Sequence, residues 1–237
     1  MWLRYTDPGF GDTKRIEVTQ KSETPDAPYA LPALERTTLQ NPSAAAAAAA
    51  VIASTPESRA TAAARIVAAA NRAADGGRPL EAMLGYLEHN LMLGDLPADF
   101  KTRQAALTQN ADVKTLFGAL HASSEQEAKR NVATLKQLES AAGEKAYVLG
   151  IFRADFEGNL GNGETAIALL AGALSQNPFI TGVWKDLGDA LDGYDAADAW
   201  RCYEMARRIE PRHSLLAAVN SREETMLKEH PEFFGTP

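Results

Sequence analysis

Cys202 is the only cysteine in 237 residues, so no internal disulfide and no cysteine-rich metal site can form, and the chain fits either redox compartment. The four histidines, His89, His121, His213 and His230, lie far apart. There is no His-Glu-x-x-His, no Gly-x-Ser-x-Gly and no glycine-rich phosphate loop. The adjacent Glu88 and His89 make no site on their own. No catalytic, metal-binding or cofactor-binding residue is therefore expected. Basic residues number 24, with no run longer than Arg207-Arg208, and the formal net charge is −7. That pattern lacks the electrostatic footprint of a nucleic-acid partner. The longest small apolar stretch, residues 44–53, falls far short of a membrane span, and MWLRYTDPGFGDTKR lacks the basic-then-apolar run of a secretory signal. A soluble chain with no membrane partner is expected. Its expected location is cytoplasmic, or periplasmic if a signal or upstream region has been removed.

Aromatics are also scarce, at 7%, whereas alanine is abundant, with 44 residues. Alanine is the best helix former, so the composition favours helices packed closely through small side chains. Residues 1–42 differ from the rest. Residues 2–6 and 14–20 alternate as short strands around Asp-Pro-Gly-Phe-Gly-Asp, which predicts a β-hairpin. Residues 22–42 carry Pro25, Pro28, Pro32 and Pro42 and read as an extended connector. A helical region, 43–143, follows, and then a second, 144–230. Ser43 is placed to cap the alanine run, and Pro56 ends that helix. Further helices are expected over 56–74, 79–93, two within 98–122, 123–142, 144–159, 164–176, 178–191, 196–209 and 212–228. In the last of these, Leu215, Leu216, Val219 and Met226 would face inward. Short connections make neighbouring helices antiparallel.

Two segments near the end repeat each other at an offset of 33 residues: Ala166, Leu170, Ala173 and Pro178 correspond to Ala199, Tyr203, Ala206 and Pro211. Positions 0, 4 and 7 share a helix face, so small, large and small residues there let a neighbouring helix approach and interlock. The proline then opens the next helix. With Trp184, Leu187 and Gly188 on the preceding helix, these residues resemble the tetratricopeptide repeat. The unit from 144 to 178 keeps only the second-helix pattern. Residues 60–94 are a weaker candidate, with Ile66, Ala70, Ala82 and Tyr86 in register. The resemblance implies an all-α fold, an α-α superhelix of antiparallel helix pairs whose first helices line a concave groove. It also implies a non-catalytic scaffold that binds a protein or extended peptide. An alternative is the helical accessory domain of a larger enzyme or of a secretion or assembly complex.

Lys185, Asp189, Phe152 and Phe156 are the candidate groove residues. Asp189 stands where the family's carboxylate clamp would need asparagine, and a carboxylate there repels a ligand carboxylate. Phe152 and Phe156 at helical spacing are either core or the apolar floor for a peptide. One such peptide would be the chain's own Tyr29-Ala-Leu-Pro-Ala-Leu34, so self-docking of residues 22–42 is a further expectation. The oxygen-rich stretch from Asp155 to Glu164 lacks the glycine and terminal carboxylate of a calcium loop and reads as a glycine-ended helix and turn. Cys202 is expected to be buried and inert, Trp184 to belong to the core, and Trp200 to lie at a contact surface.

Overall fold

The computed structural model describes residues 39–216 together with Val219, Arg222, Thr225, Lys228 and Glu229. The expected hairpin and most of the expected connector lie outside the described residues. Within them the chain is all-helical, with no strand. The helices are α1 (Pro42–Ala53), α2 (Pro56–Asp75), α3 (Pro79–Leu93), α4 (Ala98–Leu107), α5 (Ala111–Gly118), α6 (Glu125–Leu138), α7 (Ala146–Asn159), α8 (Gly163–Gln176), α9 (Thr181–Leu191) and α10 (Ala196–Ile209). Turns of three or four residues join α2 to α3, α7 to α8 and α9 to α10, and each couple packs side by side. Such short links force antiparallel neighbours. The core runs without interruption from Leu39 to Val219.

Local chemistry sets the helix starts. Asn41, and not Ser43, caps α1. Its side-chain oxygen accepts from the N–H groups of Ser43 and Ala44, and Pro42 occupies the first turn where its missing N–H costs nothing. Thr55 and Ser58 form a reciprocal capping box on α2 behind Pro56. The α9 helix begins at Thr181, three residues after the expected Pro178. The Asn177 side chain accepts from the Phe179 N–H at 3.0 Å, and the Pro178 carbonyl accepts from Trp184 Nε1 at 2.8 Å. Those two bonds hold Pro178 in a turn and fix the Trp184 indole in the core.

Small residues set how closely helices approach. A Cβ on Gly188 of α9 would collide with the Tyr203 ring of α10, and one on Gly85 of α3 would lie 2.9 Å from Ala70 Cβ on α2. The alanine run acquires a specific role. Ala44, Ala47 and Val51 are buried at spacings of three and four, and this stripe seats α1 on α8 and α10. Trp200, expected at a contact surface, is fully buried on a helix that packs against both α9 and α1. Its ring carries the Arg207 guanidinium 5.4 Å from the centroid. Leu39 is buried, and Gln40 ties the start of the described chain to α10, its N–H donating to Asp198 and its side chain to Asp195.

The α3 helix packs on α7 and α9 and meets their first turns at Tyr147, Thr181 and Gly182. Glu88, 1% exposed, is the junction. It accepts from Lys145 Nζ at 2.5 Å, from the Tyr147 hydroxyl and from Asn177 Nδ2 at 2.6 Å. Burial and the Glu88 charge push the Tyr147 hydroxyl far above its usual range. After α10, a short 3-10 turn over Ser214–Leu216 precedes residues that are helical at Val219, Arg222, Thr225, Lys228 and Glu229. Leu216 and Val219 are buried, as expected of an inward face; Met226 lies outside the described residues.

Candidate functional site

With α3 covering the first turns of α7 and α9, a cleft of about 420 Å³ lies between their later turns. Ala166 and Leu170 of α8 line it from the second helix of the pair, Ile151, Ala154 and Asp155 from α7, and Asp186, Asp189 and Ala190 from α9. Glycines 158, 161, 163 and 193 also line it, and they leave the backbone accessible. Gly161, at φ 82°, makes the turn that ends α7, with the Asn162 N–H donating to the Glu157 carbonyl at 2.8 Å. The stretch with calcium-like spacing is thus a helix terminus. No group of three or more His, Cys, Asp or Glu side chains is arranged to hold a metal ion among the described residues. Asn159 and Tyr194, the latter 71% exposed, complete the lining.

Three carboxylates line the cleft, and no cation does. Lys185 stands behind them and is almost buried. Its ammonium lies 2.5 Å from Asp189 and 3.4 Å from Asp186. Burial works against the Lys185 charge, but Asp186 and Asp189 outweigh it and raise its pKa. One ammonium cannot serve three carboxylates. Asp186, with a side chain 13% exposed, is pushed up to about 7, chiefly by burial and further by Asp189 and Asp155, against the pull of Lys185. Burial also raises Asp155, with Lys185 opposing. Asp189 is better served. It accepts from the Tyr203 hydroxyl at 2.9 Å, and Arg222 lies 3.6 Å away while pairing with Asp192 at 2.6 Å. Burial and the Asp189 charge raise the Tyr203 hydroxyl well above its usual range.

Of the four groove residues named from the sequence, Asp189 lines the cleft and Lys185 sits behind it. Phe152 and Phe156 are each 5% exposed and belong to the core; the cleft face of α7 is carried instead by Ile151, Ala154 and Asp155. Asp155 and Asp186 were missed. A helical register counted from Lys185 and Asp189 could have found Asp186, since positions 186 and 189 share a face. Nothing in the sequence brings Asp155 to them, because that depends on how α7 and α9 are each set against α8. Cys202 is fully buried, and burial drives its thiol well above the usual value, which suits an inert thiol.

The lining contains no histidine, cysteine, serine or threonine, and it sets three carboxylates beside small apolar surface. No helix of the described residues is long and apolar enough to cross a membrane. Fold and site together define, over the described residues, an all-helical protein with an acidic inter-helix cleft. No family model, curated protein or solved structure matches the chain.

Proposed function

We propose that the chain is a non-catalytic scaffold of the tetratricopeptide type that binds a protein or extended peptide through the cleft between α7 and α9. In this reading α7/α8 and α9/α10 are successive repeats, α2/α3 is a divergent one, and α7 and α9 are the first helices that line the concave face. The interlock of Gly188 with Tyr203 supports it, because the repeat pattern joins these two positions across a helix pair. So does the burial of Ala166, Ala173, Ala199 and Ala206 at the close-approach positions.

One observation carries the choice of partner: three carboxylates line a cleft whose nearest ammonium is already shared. A ligand lysine or arginine would supply the missing countercharge, and a charge-assisted hydrogen bond contributes about 1.5–3 kcal/mol. Ala166, Leu170 and Ile151 would receive small apolar residues next to it. Panning a displayed random-peptide library on the full chain tests this. Enriched peptides should carry lysine or arginine, and Asp155→Asn/Asp186→Asn should weaken them about tenfold to a hundredfold. An absence of enrichment above background, or equal binding to the double variant, would count against the proposal.

A further inference from the structure

His213 is 3% exposed and lies where three parts of the fold meet. Its Nδ1 accepts from the Leu215 N–H at 3.2 Å, so the neutral ring carries its proton on Nε2. The ring packs on the end of α3, where a Cβ on Gly94 would lie 3.6 Å from Nε2. Leu215 packs against Gly182 in the first turn of α9, which also touches Leu91 of α3. One imidazole thus ties the start of the C-terminal segment to α3, and that segment reaches on to the cleft through Arg222.

We infer that His213 is a pH-sensitive clasp, whose protonation at Nδ1 breaks the local bond from Leu215, loosens the Leu215 contact with Gly182 and so releases the described residues that follow, Ser214–Leu216, Val219 and Arg222. A second proton on the ring must go on Nδ1, where it faces the Leu215 N–H, so donor then meets donor. The surroundings work in both directions. Burial disfavours the cation most. The carbonyls of Asn90 and Leu91, Glu210 at the end of α10 and Asp95 after α3 all favour it, yet the net shift is downward. Other groups nearby are His89, whose Nδ1 donates to the Asp95 carbonyl at 3.1 Å, and Arg212 next in sequence. The first turn of α9, Thr181 to Trp184, carries no charge. A histidine lowered in the folded state stabilises it above its ordinary value of about 6.5 and loses that contribution as pH falls. Release also removes Arg222 from Asp189 and Asp192, leaving the cleft with less countercharge. The clasp itself does not depend on the ligand proposed for that cleft.

Hydrogen exchange on the full chain, corrected for intrinsic rates at about pH 7 and about pH 5, measures the clasp without any ligand. The opening constant for the amides of Leu215, Leu216 and Val219 should rise on acidification, to a ceiling of about 25-fold set by the free histidine's own titration. His213→Asn keeps an acceptor for the Leu215 N–H but does not titrate, so its protection should be flat with pH. His213→Phe should open these amides at both pH values. Amides of α7 between Val148 and Ala154 should stay protected throughout. An equal pH response in wild type and His213→Asn, or loss of α7 protection in parallel with the C-terminal amides, would overturn the clasp.

Discussion

Replacing Asp186 with asparagine should stabilise the protein at alkaline pH, although the substitution removes a charge 3.4 Å from a lysine. The carboxyl is raised from an ordinary 3.8 to about 7, so the folded state holds its proton more tightly than the unfolded chain does. Its contribution is fully present below the ordinary value and is lost as pH rises through about 7. At about 1.4 kcal/mol per pKa unit, the ionised form costs up to about 4 kcal/mol near pH 8, and salt screening of Asp189 brings the expected gain for Asp186→Asn to about 2–4 kcal/mol. Near pH 4 the native carboxyl is already protonated, and the gain should shrink to below about 1 kcal/mol. Lys185 keeps Asp189 at 2.5 Å in either case. Urea denaturation at the two pH values supplies the comparison. A variant less stable than wild type at alkaline pH, or one whose advantage does not change with pH, would show that Lys185 pays for the Asp186 charge in full and that the cleft has no unmet negative charge.

Four further substitutions probe the packing. Gly188→Ala should destabilise by about 1–3 kcal/mol through collision with Tyr203, despite the gain in helix propensity; thermal unfolding reports it, and an unchanged midpoint would mean that α9 and α10 are not tightly interlocked. Ala47→Leu, at a position 5% exposed, should cost a similar amount by wedging α1 away from α8, again about 1–3 kcal/mol, whereas Ala49→Leu on the exposed face should be near neutral. Glu88→Ala strands Lys145, Tyr147 and Asn177 together and should cost about 3–5 kcal/mol, as read by denaturant midpoint; a cost below about 1 kcal/mol would mean that water replaces the carboxylate.

Much of the helical architecture was legible because it is local. Proline and glycine breaks and the alanine–large–alanine register each act within a few residues, and the helices stand close to where these signals put them. What the sequence concealed is non-local. The alanine run has no internal periodicity, so only the seat between α8 and α10 reveals which alanines are buried. Glu88 looked inert because its three partners lie 57 to 89 residues away. Phe152 and Phe156 drew notice as large apolar side chains, yet the open face of α7 is marked by Asp155, a small polar residue flanked by Ala154 and Gly158. Trp200 looked free because nothing local predicts that α1 returns to cover α10.

The central claim is that the cleft between α7 and α9 is a docking groove for a cationic peptide. Its four lining glycines provide the most direct reading, since glycine amides resolve well in a ¹H–¹⁵N correlation spectrum. Titration with a lysine- or arginine-bearing peptide from the library should shift Gly158, Gly161, Gly163 and Gly193 together and saturably, and should leave the exposed Gly76 and Gly118 unmoved. Shifts confined to other regions, or a saturable peptide that leaves all four cleft glycines in place, would contradict the claim.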